Sequence, residues 1–352
     1  AVAAGAVVPI TRRVHRNPTK ARGCEPKSLI ILPIQKAYPL YTSQINHYFG
    51  TIAQSHQDSF IALNTLLFHQ ALFIYLPPHT ILQKPLLIHH LTTHPSHPSI
   101  HPRLLLLLGQ NSHLTCIENF YTQAENQILI NRVAEINLAP HAQLNYYQLQ
   151  PKTPSPTWQM HYTHIQQSQN AQLNHYTFSL GSKLVRNHLA TKLAEPYSEA
   201  NLYGLYAING ENYIENQTEI DHYAPNTTSA QHYRGTVKNN AKGIFRGTIY
   251  VRPHAQKTQA NQNHHAWILS PKARIYTQPR LAIQADDVKC THGATISQPD
   301  AAQLFYAQTR GITPQKAHQL LLQSFYDQLI KSVKVLPLQA YLRKNIIHTS
   351  LK

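Results

Sequence analysis

The sequence predicts a mainly β protein, a β-solenoid of stacked coils with a helical region at each end. Three observations support this prediction. A turn pattern recurs every 29 or 30 residues in the middle of the chain. Short alternating strand-like runs fill residues 77–298, separated by Asn, Pro, Gly and Ser turns and without a convincing helix. The segments on either side instead carry apolar residues at helical spacing.

The repeat outlines the solenoid. Each copy has a polar turn, a small residue, a polar residue and then leucine, and Ala230 continues the spacing. The four copies are Asn-Ser112-His-Leu114, His-Ala142-Gln-Leu144, Asn-Ala171-Gln-Leu173 and Glu-Ala200-Asn-Leu202. A single coil cannot bury its apolar face, so coils stack, and the small residue allows a tight turn between them. A β-sandwich with accidentally similar turns is the alternative fold.

The N-terminal part is predicted to form two segments. Residues 1–28 are expected to be a basic tail of little structural value, in which an apolar run precedes Arg12, Arg13, Arg16, Lys20 and Arg22. A secretory signal has the opposite order. Residues 29–76 are expected to form a short helical region, with Phe60, Leu63 and Leu66 at helical spacing. The solenoid core is then expected over residues 77–298.

Residues 299–352 are predicted to form a C-terminal helical domain. Asp300 is the expected N-cap of one helix, which Gly311 ends, and Thr313-Pro314 begins a second helix. The second helix has a stripe of apolar residues that includes Leu320, Leu321, Phe325 and Leu329. Such a helical pair would cap the open end of a solenoid, or it would serve as a docking surface for a partner.

Charge and cysteine content narrow the function classes. The formal charge is +16, but only 13% of residues are charged and basic residues cluster only in the tail, so an acidic protein is a better partner than nucleic acid. Cys24, Cys116 and Cys290 follow no disulfide or zinc spacing, which indicates reduced thiols in the cytoplasm.

No apolar run is long enough to span a membrane. No nucleotide-binding, nucleophile-elbow or zinc-protease motif occurs, which argues against a self-sufficient enzyme.

Residues 285–295 (ADDVKCTHGAT) combine two carboxylates, a thiol and an imidazole. If this segment is an extended strand, Cys290 and His292 lie two residues apart and face the same side. A thiolate beside an imidazole suits a soft metal or an iron–sulfur cluster. Two ligands cannot complete a tetrahedral site, so the others would come from elsewhere. The alternative is a structural turn with a buried cysteine and a hydrogen-bonded histidine, and residue types alone favour that alternative.

The C-terminal half of the chain resembles a known family. The residues that carry the resemblance are, in order, 243–249 (GIFRGTI), 255–260 (AQKTQA), 285–295, and Leu304-Phe305-Tyr306 leading to Arg310-Gly311-Ile312. Their order and spacing are similar to the SufB/SufD family of the Suf iron–sulfur cluster assembly machinery. The sequence DDVKCxHGAT favours SufD over SufB. Weaker similarity extends back to residues 58–64.

The resemblance implies a right-handed parallel β-helix flanked by helices. It also implies a heterodimer with SufB, a SufC ATPase held by the C-terminal helices, and an iron–sulfur cluster that is transient and shared with SufB. Cys290 and His292 would contact iron near the SufB interface. The residues that would dock SufC are Leu320, Leu321, Phe325 and Leu329. Whether Cys290 is a ligand, a sulfur carrier or an interface thiol stays open, as does homodimerisation of the isolated chain.

The leading functional hypothesis is therefore a scaffold subunit without enzymatic turnover. A β-helix polysaccharide lyase is one alternative, but it would need acids or Arg and Lys along one face. Asp286-Asp287 is the only adjacent pair of acids in the predicted solenoid. A basic solenoid that binds nucleic acid is another alternative, and its affinity would fall steeply with salt.

Overall fold

The structure is a computed structural model that describes residues 28–92, 98–123, 127–153 and 156–351. The basic tail predicted over residues 1–28 lies outside the described residues except for Ser28, and so does Cys24. About 49% of the chain is strand, and helices flank the strands on both sides. The predicted mainly β solenoid with flanking helices is therefore confirmed.

The core is a parallel β-solenoid of about seven turns, in which each coil contributes one strand to each of two sheets. Sheet 1 contains, in spatial order, β1 (Ile30–Pro33), β2 (Ala71–Leu76), β5 (Arg103–Leu108), β7 (Ile128–Leu138), β9 (Thr157–Gln167), β11 (Leu184–Leu193), β13 (Tyr213–His222), β15 (Lys242–Val251) and β17 (Arg274–Ile283), with the short β4 (Ser99–Ile100) also paired to β7. Sheet 2 contains β3 (Leu86–Thr92), β6 (His113–Thr122), β8 (Gln143–Gln150), β10 (Gln172–Ser179), β12 (Glu199–Ile208), β14 (Thr228–Val237), β16 (Gln259–Ile268) and β18 (Lys289–Ser297).

The solenoid begins earlier in the chain than the hydrophobic pattern indicated. β2 lies inside the segment predicted as helical, and it pairs in parallel with the leucine-rich β5, Ile74 beside Leu106. A six-residue apolar run fits a buried strand as well as a helix. The partner strand, distant in sequence, decides between them. The antiparallel β1 covers the other side of β2.

Six successive coils turn at a residue in the left-handed backbone conformation, which is followed by a small buried residue. The turn N–H donates to a carbonyl of the next coil, as Asn170 N–H does to Pro196 C=O at 3.2 Å. The first three predicted copies are confirmed because their leucines are neighbours in register. Their turns are Asn111-Ser112, His141-Ala142 and Asn170-Ala171.

The fourth predicted copy is wrong by two residues. Leu173 pairs with Ala200 rather than with Leu202, because the turn falls at Tyr197-Ser198 and shortens this coil. A shift of two residues preserves the alternation of side chains between the two faces of a strand. The misaligned copy therefore still looked regular in the sequence.

The fifth copy, at Ala230, is wrong by three residues, because the turn of this coil falls at Asn226-Thr227. Ala230 pairs with Asn201, whose side chain lies on the outer face of the sheet. Ser229 is the residue that faces the interior and is buried. A shift by an odd number of residues exchanges the two faces of a strand, so Ala230 cannot be the small interior residue of this coil, and Thr227 takes that place.

The interior of the solenoid contains a buried ion pair. Glu118 and Arg132 are both fully buried, and Arg132 donates to the Glu118 carboxylate. His90 Nε2 lies 2.8 Å from the same carboxylate, and Tyr146 Oη donates to it. Burial alone would raise the pKa of Glu118, but Arg132 and these hydrogen bonds lower it to about 2. The pair therefore remains charged at neutral pH.

The N-terminal helices pack on the outer face of sheet 1. They are α1 (Ile34–Ala37), α2 (Thr42–Tyr48) and α3 (Ser59–Leu67). The Glu135 carboxylate on β7 accepts hydrogen bonds from the backbone N–H groups of Gly50, Ile52 and Ala53. Arg103 Nη2 lies 2.6 Å from the same carboxylate, which balances its charge. This cluster fixes the N-terminal segment to the solenoid wall.

The C-terminal segment forms α4 (Ala301–Thr309), α5 (Pro314–Ile330) and α6 (Leu336–Leu351). The predicted helix starts are confirmed: the Asp300 side chain accepts from Ala302 N–H at 2.8 Å, and the Thr313 hydroxyl accepts from Lys316 N–H. No helix in the described residues is long and apolar enough to cross a membrane.

The expectation that these helices cap the open end of the solenoid is wrong. Helices α5 and α6 lie along the side of the solenoid, on the outer face of sheet 2. That face carries apolar and aromatic side chains, among them Tyr147, Tyr176 and Phe178, which would otherwise face water. Burying this stripe is the physical reason for the lateral position.

Candidate functional site

The segment that the sequence singled out forms the last turn and the last strand of the solenoid. Asp286 and Asp287 are exposed in the turn, and β18 follows. β18 pairs with β16 on one side, and no described strand pairs with its other side. β17 ends sheet 1 in the same way. We call this last turn, residues 274–297, the open coil; its edge strands leave backbone N–H and C=O groups unpaired.

Cys290 and His292 lie on the interior side of the open coil. Cys290 is the register partner of Ala260, and His292 is the register partner of Gln262. Ala260 and Gln262 are both buried, so their side chains mark the interior face of sheet 2. The extended conformation assumed for this segment is confirmed. Both side chains therefore point into the opening at the end of the solenoid.

The Cys290 thiol is half-buried and packs against a small apolar cluster that includes Val251, Ala255 and Ala285. Burial raises the pKa of the Cys290 thiol, and a hydrogen bond from the Ala260 backbone opposes this rise only in part. At neutral pH the sulfur therefore carries a proton. A metal ion that binds it must displace that proton.

His292 is exposed, and Lys289 points to the opposite face of the strand. Within the described ranges, no group of three or more His, Cys, Asp or Glu side chains is arranged to hold a metal ion. The open coil offers one sulfur donor and one nitrogen donor. A complete coordination sphere would need donors from another molecule.

The sequence of the chain matches two protein-family models. A family model described as "SUF system FeS cluster assembly, SufBD core domain" matches residues 90–325, and one described as "SufBD protein N-terminal region" matches residues 12–88. The chain belongs to the SufBD family. The core match contains Cys290, His292 and most of α5, and the N-terminal match begins inside the predicted tail.

Three relatives of this SufBD chain illustrate the similarity. An iron–sulfur cluster assembly SufBD family protein of Synechocystis is 29% identical over 310 residues, which cover 86% of this chain and 68% of the relative. The iron–sulfur cluster assembly protein SufD of Escherichia coli is 28% identical over 256 residues (71% and 60%). The chloroplastic protein ABCI7 of Arabidopsis thaliana is 26% identical over 298 residues (82% and 62%). The chain thus spans about two thirds or less of these relatives' own length.

The α5 residues predicted to bind a partner divide into two groups in this SufBD chain. Leu320 is 41% exposed and Leu321 is half-buried. Phe325 and Leu329 are buried between α5 and sheet 2. The Phe325 ring stacks on Trp267 with ring centroids 4.2 Å apart. Phe325 and Leu329 therefore hold the helix on the solenoid, and a partner cannot reach them while the helix is packed there.

Helix α4 presents an apolar surface that the predicted docking set did not include. Phe305 is 69% exposed, Tyr306 is 61% exposed, and no residue of α4 is buried. Leu304, Phe305 and Tyr306 are among the residues that carry the family resemblance. The sequence could not show which stripe the solenoid covers and which remains exposed.

Proposed function

We propose that this chain is a non-catalytic scaffold subunit of the SufD type, which supports assembly of an iron–sulfur cluster at its interface with a SufB subunit. The observation that carries the proposal is the open coil, where Cys290 and His292 face the end of the solenoid on an unpaired edge strand. The cluster is the cargo of this site. It would be held transiently by these two residues and by SufB.

The open coil has the properties of an interface. Two parallel edge strands, β17 and β18, carry unpaired backbone groups that another solenoid can pair by strand addition. Ile283 and Ile296 on these strands are 41% and 39% exposed. A SufB subunit of similar fold would satisfy the backbone groups and bury both side chains. It would also bring donors toward Cys290 and His292.

The chemistry of the two donors supports a role with iron. A cysteine sulfur and a histidine nitrogen are ligands that iron–sulfur centres use. Because burial keeps Cys290 protonated in the isolated chain, sulfur binding would be coupled to metal delivery. This coupling would keep the thiol unreactive until iron arrives.

We also propose that the helices after Asp300 bind a SufC ATPase. The support is the exposed stripe on α4, Phe305 and Tyr306, together with Leu320 on α5. Amphipathic helices commonly dock by placing such a stripe in an apolar groove. Leu321 lies at the margin of this surface. Phe325 and Leu329 would act indirectly, by holding α5 in place.

The subunit is proposed to work in the cytoplasm and to have no ATPase, lyase or dehydrogenase activity of its own. The free thiols of Cys116 and Cys290 suit a reducing compartment. A polysaccharide lyase is not favoured, because acids on the outer face of sheet 1 are engaged by arginines, Asp221 by Arg252 at 2.8 Å for example.

Co-expression with SufB and SufC homologues tests the proposal. We expect a stable three-component complex that develops an iron–sulfur absorption band after anaerobic reconstitution. The same reconstitution with SufB and SufC alone is the control, and we expect much less cluster there. An equal band without this chain would contradict the scaffold role. ATP turnover by the pure subunit, abolished by a substitution within it, would contradict its lack of activity.

A further inference from the structure

A glutamine beside the proposed site has no hydrogen-bond partner. Gln262 is fully buried in the solenoid interior, and neither its amide nitrogen nor its amide oxygen bonds to any described residue. Buried amide groups are nearly always hydrogen-bonded, because leaving one unpaired destabilises the folded state. Such an exception calls for an explanation in the surroundings of the side chain.

Gln262 lies in a column of interior side chains that leads to the open coil. Its register partners are Gln231 on β14 and His292 on β18. Gln231 Oε1 accepts a hydrogen bond from Thr218 Oγ1 at 2.8 Å across the interior, but Gln231 Nε2 is buried without a described partner. The column therefore holds two amides with unmet hydrogen bonds and ends at the His292 ring.

The facing sheet leaves space for the Gln262 amide. Gly247 lies on β15, and a Cβ atom at that position would stand 1.8 Å from Gln262 Nε2. The amide thus occupies volume that the side chain of any other residue would need. This packing holds the Gln262 side chain across the interior, one strand away from His292.

We propose that Gln262 is a positioning residue for His292. Its Oε1 atom is unpaired in the structure and has two lone pairs, which can accept one hydrogen bond from Gln231 Nε2 and one from His292 Nδ1 when these side chains turn toward it. Neighbouring strands are about 4.8 Å apart, so side chains at paired positions are close enough to reach hydrogen-bond distance. With the proton held on Nδ1, the Nε2 lone pair is free to bind iron. Histidines that bind metals are commonly oriented in this way. The inference rests on the proposed role of His292 in cluster assembly.

Histidine NMR on the isolated full chain tests the tautomer directly. Chain labelled with 15N-histidine is recorded at a pH where the ring is neutral, and His292→Ala identifies the signal. We expect the Nδ1–H tautomer of His292 in the wild type. Free histidine prefers the Nε2–H tautomer, so we expect Gln262→Leu to restore that preference. Gly247→Ala is expected to have the same effect, because its methyl group displaces the amide while leaving residue 262 unchanged.

Two further variants separate positioning from packing. Gln262→Glu keeps an oxygen acceptor in place and is expected to retain the Nδ1–H tautomer. Gln148→Leu removes another buried interior glutamine, which donates to Asn187 far from the open coil, and is expected to leave His292 unchanged. If the wild type already shows mainly the Nε2–H tautomer and Gln262→Leu leaves it unchanged, the proposal is overturned.

Iron content of the complex separates this inference from the function on which it rests. In the reconstituted complex we expect Gln262→Leu to weaken iron retention about tenfold and Gln262→Glu to restore it. If His292→Ala leaves iron per complex unchanged, the proposed role of His292 fails. If His292→Ala lowers iron while Gln262→Leu changes neither iron nor tautomer, only the positioning role fails.

Discussion

Cys290 and His292 differ in how much of each side chain the solenoid covers, and their substitutions are expected to differ accordingly. His292 is exposed, so His292→Ala should leave folding and complex formation intact and sharply lower the cluster content. Cys290 is half-buried, so Cys290→Ser should lower cluster content and cost about 1 kcal/mol of stability. The measurement is iron and sulfide per mole of intact complex, with thermal melting on the same samples.

Lys289→Ala is the matched control for this experiment. Lys289 lies on the same strand but on the opposite face, and it is exposed. We expect normal iron content in that variant. Normal iron content in the His292 and Cys290 variants, beside a lowered melting temperature, would leave them with a packing role only.

Buried histidines predict a loss of stability in mild acid. Burial, together with the smaller effect of the Arg132 charge, lowers the pKa of His175 to about 3. The unfolded chain takes up a proton on this ring below about pH 6.5, whereas the native chain does not. The free energy of unfolding therefore falls as the pH drops from 6.5 toward 3, by about 1.4 kcal/mol for one such histidine at pH 5.5.

This effect is measured by urea unfolding at pH 7.5 and pH 5.5, as the difference between the two free energies of unfolding. In His175→Gln we expect the loss between the two pH values to be smaller than in the wild type by about 1.4 kcal/mol. His318→Gln, at an exposed position of α5, is the control and should keep the wild-type difference. An unchanged pH dependence in His175→Gln would contradict the assignment of a buried neutral ring.

Some of these residues could be predicted from the sequence and others could not, and the difference has a physical reason. Cys290 and His292 stand out because reactive side chains are concentrated in one strand. Gln262 and the Glu118–Arg132 pair do not, because interior and surface polar residues look alike in a sequence. Glu118 and Arg132 meet only after the coil has placed their strands on opposite sheets.

At the scale of helices, the exposed surface after Asp300 predicts where SufC binds. Phe305→Asp and Leu320→Asp are each expected to weaken SufC binding by 2 kcal/mol or more, about 30-fold. Both side chains are exposed, so the melting temperature and SufB pairing should not change. Affinity is measured by calorimetry or by pull-down at several SufC concentrations.

Two further substitutions on the C-terminal helices serve as comparisons for this experiment. Leu336→Asp changes a leucine of α6 that is 73% exposed, and we expect it to bind SufC normally. Leu329→Asp places a charge between α5 and sheet 2 and should destabilise the chain. Wild-type SufC affinity in both Phe305→Asp and Leu320→Asp would refute the docking surface.

Helix boundaries were more predictable than helix positions. Caps are local, and the side chains of Asp300 and Thr313 bond within the first turn of their own helices. The packing of α5 depends on Tyr147, Tyr176 and Phe178, which are more than a hundred residues away. An apolar stripe on a helix therefore does not show whether the rest of the chain covers it, as with α5, or leaves it exposed, as with α4.

At the scale of the whole molecule, the open coil predicts how subunits associate. Ile296→Lys places a charge on the interior side of β18, a feature that natural sheets use to block edge pairing. We expect it to weaken SufB pairing and any self-association of the isolated chain, while its melting temperature stays near that of the wild type. Light scattering after size-exclusion chromatography at two concentrations reports both.

Ser297→Lys is the control. It adds the same charge at the next position of β18, which is exposed and whose side chain lies on the opposite face of the sheet. We expect the Ser297→Lys chain to pair with SufB, and with itself, more strongly than the Ile296→Lys chain does. Equal association of the wild type and both variants would show that the subunits meet elsewhere.

The solenoid itself was predictable because its repeat is encoded coil by coil. Its register was less predictable, since coil length varies. The coil from Ala171 to Ser198 is shorter than its neighbours, and only strand pairing shows it. Solenoid energetics depend on neighbouring coils, so each coil can change length without altering the others.

The lateral position of α5 and α6 has a consequence for synthesis of the chain. Lys334 N–H donates to Tyr147 Oη across 187 residues of sequence. The coils that carry Tyr147, Tyr176 and Phe178 leave the ribosome about 150 residues before Leu329, which helps to cover them. At about 5–20 residues per second, this delay is roughly ten to thirty seconds. For that time a stripe of aromatic rings lacks its final cover on the nascent chain, so we expect the yield of folded protein to depend on the pace of translation.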